Sequence, residues 1–403
     1  MNITIITPFL PFPLNSGGAQ AQFNIINELR TAHNIMIICP ENGKNKQRYF
    51  KQLQARWPEV HIVRYPYFRQ LMHLPFLKDK AIRAYKLKTR PNDERFQVER
   101  ALKPYGFYLS RDFVNFVNSH IRQHQTHLVE VNFYPYLNIV RSLPSDVKTL
   151  FVQHEIRYIR NKRLLEPLKL TENEKTYFEE IKQEEIKCLN LYDKIISLTQ
   201  TDKDLMLSDG VTVPIAVSPA AVNTPILPHQ SWNGKITFIG GYSHIPNQEG
   251  MNWFITHVLP SIRTDCIKSI DVVGAGWPQH YNTLNPKLHF LGFVEKLEDA
   301  ISGSLLIVPI LTGSGMRMKI LDAAAMGVPF ITTSVGVEGL DFRHNESCVI
   351  ADSAIDFAEA INQLITNADK MLRLACTAQN IFKEKYSVEA LSNIRNSIYQ
   401  QCL

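Results

Sequence analysis

The stretch from Ser304 to Leu340, SLLIVPILTGSGMRMKILDAAAMGVPFITTSVGVEGL, constrains the chain most, because it reads as strand, glycine loop, helix and strand in immediate succession. Ser304 to Ile310 is a short apolar run rich in branched residues, which suits a strand buried on both faces. Thr312, Gly313, Ser314 and Gly315 break it. Two glycines let the backbone turn sharply and approach a ligand, and the free N–H groups opening the next helix favour an anion. Arg317 and Lys319 add full positive charges at that helix start, a placement that disfavours the bare helix unless an anion compensates. The helix is expected from about Met316 to Met326, stopped by Gly327 and Pro329, with Phe330 to Thr333 opening the next strand. The unit is βαβ.

The same unit recurs near the start. Ile3 to Ile6 predicts a strand, the segment through Pro8, Pro11, Pro13, Gly17 and Gly18 a loop, Ala19 to Arg30 a helix, and Ile35 to Cys39 a second strand. Runs at His127 to Val131, Lys148 to Val152 and Asp193 to Leu198 extend that sheet, with a charged helix from Glu172 to Leu191 between the last two. A turn-rich stretch, Asp209 to Asn233, holds Pro214, Pro219, Pro225 and Pro228 and reads as a linker. Beyond it, strands at Lys235 to Ile239, Ser269 to Val273, Leu288 to Phe290, Leu305 to Ile310 and Pro329 to Thr332 alternate with helical patterns. That alternation predicts a second doubly wound parallel sheet. With 403 residues, two domains are expected, 1–213 and 214–386, with a last helix from about Ser387 to Gln400.

Composition matters chiefly for what it excludes. At 45% hydrophobic and 20% charged residues the chain reads as globular, and no apolar run approaches the ~18 residues that cross a bilayer. The start, MNITIITPFLPFP, lacks a basic leader and is broken by prolines, so a first strand is expected there rather than a signal peptide. Cys39, Cys188, Cys266, Cys348, Cys376 and Cys402 show neither metal-like nor paired spacing, which predicts reduced thiols and a cytoplasmic setting. The net charge of +6 is concentrated: residues 61–112 carry +7 and all the rest −1. Tyr65, Tyr67, Phe68, Phe76, Tyr85, Phe96, Tyr105, Phe107 and Tyr108 are interleaved with those cations. The pattern suits an anionic membrane surface or a phosphate-bearing acceptor, and equally a solvated insertion with aromatic core residues. Nucleic acid ranks last as a partner.

Gly313-Ser314-Gly315-Met316-Arg317-Met318-Lys319-Ile320-Leu321-Asp322-Ala323, with Ala325-Met326-Gly327-Val328-Pro329 and Glu338-Gly339-Leu340, resembles the retaining glycosyltransferases of family 4. The resemblance is strong from Lys235 to Asp341 and diffuse before that. It implies a GT-B fold, α/β with two facing Rossmann-like domains, the last helix (387–403) crossing back onto the first. The first domain would take an acceptor hydroxyl and the second a nucleoside diphosphate sugar, UDP- or GDP-linked. Many relatives carry two glutamates seven residues apart; here the first position is Ser314 and the second Asp322.

By that resemblance Arg317 and Lys319 neutralise the leaving diphosphate, so that no metal ion or other cofactor is expected, and Asp322 meets the donor ribose. Gly240 and Gly241 after the strand KITFI, with Tyr242, Pro246 and Asn247, would let the diphosphate approach, and Gly292, Phe293 and Val294 would meet the base. No Arg or Lys follows Lys235 until Arg263, which concentrates the electrostatic burden on Arg317 and Lys319. In the first half, Gly17 and Gly18 follow the first strand, Asn132 and Tyr134 follow LVEV, and His154 and Glu155 follow TLFVQ. Ligands of open α/β sheets bind beyond the carboxyl ends of strands, so these are candidate acceptor contacts, His154 also a candidate catalytic group. Gly274-Ala275-Gly276 lacks the third spaced glycine of a dinucleotide fingerprint. G-x-S-x-G, H-E-x-x-H and Walker patterns are absent from the sequence. The expectation is a retaining glycosyltransferase of bacterial surface polysaccharide or glycoconjugate assembly, acting on a glycan or lipid-linked acceptor, cytoplasmic or peripheral on the inner membrane face. The alternatives are a nucleotide-sugar-binding partner without turnover, and a sugar phosphorylase or epimerase on the same fold.

Overall fold

The computed structural model describes residues 1–14, 16–41, 46–66, 94–102, 109–220, 222, 224–263, 265–313 and 316–402. Ser314, Gly315 and most of the basic stretch, 67–93 and 103–108, lie outside the described residues. The chain divides into two compact units, Met1–Ala220 with Leu391–Leu403, and Ala221–Ala390.

The first unit is built on a seven-stranded sheet in the order β3-β2-β1-β4-β5-β6-β7. Its strands are β1 (Asn2–Ile6), β2 (Asn34–Pro40), β3 (His61–Tyr65), β4 (Leu128–Asn132), β5 (Lys148–Gln153), β6 (Lys194–Ser197) and β7 (Ile215–Val217), and neighbours pair in parallel throughout. Central strands covered on both faces must be apolar in both directions, and Ile3, Ile5 and Ile6 with Met36, Ile37 and Ile38 are all buried. Thr4, buried among them, shares a 2.6 Å hydrogen bond with Thr126, so neither hydroxyl is left unpaired.

Two expectations are corrected here. Gly17 and Gly18 are not loop residues: the helix Gly17–Leu29 begins with them, because Ser16 caps it, its Oγ accepting from the N–H of Ala19. The stretch Asp209 to Asn233 is not all linker either, since β7 lies inside it and completes the first sheet. Its prolines are tolerated because β7 is an edge strand, where Pro214 contributes only a carbonyl, to the N–H of Ile195. The division between units accordingly falls after Ala220 rather than at 213.

The second unit has a six-stranded parallel sheet in the order β10-β9-β8-β11-β12-β13. The strands are β8 (Lys235–Ile239), β9 (Ser269–Val273), β10 (Leu288–Gly292), β11 (Leu305–Val308), β12 (Phe330–Thr332) and β13 (Val349–Ile350). β11 stops at Val308, short of the expected Ile310, where Pro309 has no N–H to give the ladder. The helix Met318–Ala325 starts two residues later than expected, Arg317 standing as its N-cap. It ends as its sequence requires, the N–H of Val328 returning to Ala323 at 2.9 Å and that of Gly327 to Ala324 at 3.2 Å. Ile320, Leu321, Ala323, Ala324 and Ala325 bury its inner face. The last helix, Val388–Gln400, belongs to the first unit from Leu391 onward.

Candidate functional site

Both sheets reverse their winding once, between β1 and β4 in the first unit and between β8 and β11 in the second. Loops leaving neighbouring strands at such a point run in opposite directions and leave a crevice at the carboxyl ends of the strands. The sequence-predicted residues collect at these two places.

In the second unit, Gly240 and Gly241 leave β8, and Asn247 comes from the following helix, Ile245–Trp253. Asn247 donates from Nδ2 to the carbonyl of Gly241 at 3.0 Å and accepts on Oδ1 from Lys319 Nζ at 2.8 Å. A Cβ at Gly240 would stand 2.5 Å from the Asn247 amide, so only glycine lets that amide take its place. Lys319 reaches it from the helix after β11, its ammonium 4.5 Å above the ring of buried Phe238. Burial and the neighbouring Arg317 guanidinium bring the Lys319 pKa down to about 7. Arg317 itself lies beside Gly313, where an added Cβ would be 3.4 Å from its Nη2 and 3.4 Å from Pro246. Thr312 donates to Glu249 and ties the same loop to the helix after β8. The switch point thus gathers Gly240, Gly241, Asn247, Pro246, Gly313, Arg317 and Lys319, two cations around paired loops, which is chemistry for an anion.

Other predicted donor residues stand differently. Asp322 is 4% exposed and accepts from Thr224 Oγ1 at 2.6 Å, so its carboxylate is engaged inside the fold, as helix position 322 faces the core. Tyr242 packs its ring against Trp277, with 5.3 Å between centroids, and Trp277 donates to the Gly240 carbonyl at 2.9 Å. Tyr242 is therefore part of the aromatic wall that shapes the glycine turn. Phe293 is 62% exposed, and Val294 is half-buried after β10, the outer strand of its sheet.

In the first unit, β1, β4 and β5 end side by side, which brings Gly18, Asn132 and His154 together. Phe133 is the link. Its ring stacks on His154, 3.9 Å between centroids and 11° between planes, and lies 4.8 Å from the ring of Phe9. A Cβ at Gly18 would come within 2.9 Å of the Phe133 ring. Phe133 holds φ +65° and ψ 143°, a backbone conformation costly for a residue with a side chain, of order 1–3 kcal/mol, and such strain concentrates at functional positions. His154 Nε2 lies 2.8 Å from Asn132 Oδ1, and burial, with Arg395 nearby, drops its pKa to about 3, leaving a neutral imidazole. Glu155 instead pairs with Arg160 at 2.9 Å, and Tyr134 carries the Arg157 guanidinium over its ring at 5.3 Å.

Sequence reasoning missed the groups behind Asn132. Glu130, 2% exposed, accepts from Asn132 Nδ2 at 2.7 Å, from Arg395 Nη1 at 3.4 Å and from the Tyr399 hydroxyl. One signal was available: a lone carboxylate within the apolar run LVEVN, where an unpaired charge would not be tolerated. Among the described residues, no group of three or more His, Cys, Asp or Glu is placed to hold a metal ion, and no helix is long and apolar enough to cross a membrane.

Residues 233–367 match the family described as Glycosyl transferases group 1. An uncharacterized 44.6 kDa protein in the cps region of Klebsiella pneumoniae is 26% identical over 178 residues, 38% of this chain and 43% of that protein. The match therefore spans less than half the length of that relative. Among solved structures, HepE of Anabaena in complex with UDP is similar over 100% of both chains, with a TM-score of 0.70 and 13% identity. Sucrose-phosphate synthase of Thermosynechococcus elongatus is similar over 99% of this chain and 98% of its own, with a TM-score of 0.68 and 14% identity. The fold is thus that of the GT-B glycosyltransferase structures, two parallel-sheet α/β domains.

Proposed function

We propose that this chain is a glycosyltransferase that binds a nucleoside diphosphate sugar on its second unit and transfers the sugar to an acceptor hydroxyl. The observation that carries the reading is the Lys319–Asn247–Gly241 chain beside Arg317 and Gly313, at the β8/β11 switch point. A diphosphate there would meet two cations as the glycosidic C–O bond breaks and charge grows on the departing oxygen. The match of residues 233–367 to Glycosyl transferases group 1 supports the reading, as does the solved HepE complex with UDP.

The finer reading is transfer with retention in family 4 manner: the acceptor oxygen bonds the anomeric carbon on the face the diphosphate leaves, and the hydroxyl proton passes to the diphosphate. Lys319 and Arg317 take the role a divalent cation has in other transferases, so added chelator should leave turnover unchanged. His154 meets a hydroxyl of the sugar or acceptor, with Gly18 and Asn132 at the same switch point. Surface-glycan assembly at the inner face of a bacterial membrane is the proposed setting, which the cps-region relative supports.

Thermal stability with UDP, GDP, ADP, CMP and NAD at matched concentration tests the donor class. A ligand at about 100 times its Kd adds roughly 2.7 kcal/mol. Stabilisation by UDP or GDP followed by transfer from the matching sugar nucleotide is the expected result. Donor binding with no transfer to any acceptor would favour a partner subunit without turnover, and phosphate-dependent cleavage a phosphorylase.

A further inference from the structure

Glu130 is a carboxylate sealed inside a parallel strand, and the reaction proposed above does not use it. Three donors converge on it: Asn132 Nδ2 on one oxygen, Arg395 Nη1 and the Tyr399 hydroxyl on the other. A carboxylate only accepts hydrogen bonds, so the Asn132 amide must turn its nitrogen toward Glu130 and its oxygen away. That oxygen lies 2.8 Å from His154 Nε2, and an amide oxygen also only accepts, so Nε2 carries the hydrogen. A neutral imidazole has one N–H, which leaves Nδ1 with its lone pair bare.

We propose that Glu130 is a positioning residue: acting through Asn132, it selects the Nε2–H tautomer of His154 and so presents Nδ1 as a hydrogen-bond acceptor for a substrate hydroxyl. The proposal rests on the reading that His154 meets such a hydroxyl. Orientation is fixed by two independent means, since the Asn132 bond sets the rotation of the ring and the Phe133 stack, backed by Phe9, sets its plane. Low pKa supports the same state, because the imidazole stays neutral through the physiological range. Arg395 and Tyr399 come from the last helix, so a segment far along the chain holds the carboxylate in place.

The test uses the full chain labelled with ¹⁵N-histidine, His154 being assigned by the loss of its signals in His154→Gln. In the wild type, Nε2 should appear protonated and Nδ1 unprotonated from pH 8 down to pH 5. Asn132→Leu removes the acceptor but leaves Glu130 its other two donors, so the unit should fold; the His154 tautomers should then mix, with kcat lowered about tenfold to a hundredfold and UDP affinity unchanged. Glu130→Gln places an amide nitrogen among three donors and should release the tautomer in the same way; if it unfolds, Asn132→Leu alone decides. An Nδ1–H tautomer or an imidazolium in the wild type near pH 6, or an unaltered single tautomer in Asn132→Leu, would overturn the proposal. The expected tautomer with full turnover in His154→Gln would leave the positioning intact and remove His154 from the proposed reaction.

Discussion

Lys319 is required to act as a cation in a place where burial and Arg317 both oppose its charge. At its pKa of about 7, a large share of the free protein carries a neutral amine at pH 7.5, and a diphosphate arriving beside it restores the charge. Donor binding should therefore take up a proton, on the order of half or more per site at pH 7.5, read by calorimetry in buffers of different ionisation enthalpy. The sign follows: UDP affinity falls as pH rises above about 7, by up to roughly tenfold per unit. Lys319→Met should abolish the uptake and sharply reduce transfer, and equal heats in every buffer for the wild type would count against the charge reversal. Gly240→Ala tests the same chain one step back, since its Cβ displaces the Asn247 amide and with it the only hydrogen bond given to Lys319 among the described residues. It should weaken UDP binding by about tenfold while leaving His154 chemistry untouched.

The helix Met318–Ala325 shows why a motif position and its environment are separate facts. Asp322 aligns with the second glutamate of the family pattern, yet its carboxylate is buried and hydrogen-bonded by Thr224. Asp322→Glu adds a methylene to a filled space and should destabilise the second unit by about 1–3 kcal/mol rather than tighten donor binding. Thr224→Val, which strips a donor from a buried carboxylate, should cost a similar amount in urea titrations; a gain in donor affinity from Asp322→Glu would restore the ribose contact. The same distinction governs what the residues disclosed in advance. Central strands such as KITFI and SIDVV were legible because burial on both faces demands continuous apolar runs. β3, β7 and β13 were not, being outer strands that are short or mixed in polarity and lack that demand. Gly313, Lys319 and His154 were legible as strand-end residues, whereas Glu130 finds Arg395 and Tyr399 265 and 269 positions away, a juxtaposition set by topology and not by any local pattern.

At the scale of the molecule, each unit carries its own core: one cluster runs from Ile6 to Ile215 in the first, and two clusters flank the sheet of the second. Units with separate cores unfold as separate cooperative blocks, so a single unfolding free energy does not describe this chain. Arg395 makes the blocks experimentally separable. It is 3% exposed, and its guanidinium is paired with a buried carboxylate, so Arg395→Met leaves Glu130 charged and short of its counter-ion, a change that typically costs about 3–5 kcal/mol. That cost falls on the first unit alone. UDP, bound through Lys319 and Arg317, stabilises the second unit alone. Hydrogen exchange on the Arg395→Met variant with saturating UDP should therefore show β1, β4 and β5 losing protection while β8, β11 and the helix Met318–Ala325 gain it. Uniform protection of both sheets by UDP would mean that the ligand's contacts, or the cooperativity of the chain, extend beyond the second unit, and the assignment of the diphosphate to Lys319 and Arg317 alone would then fail.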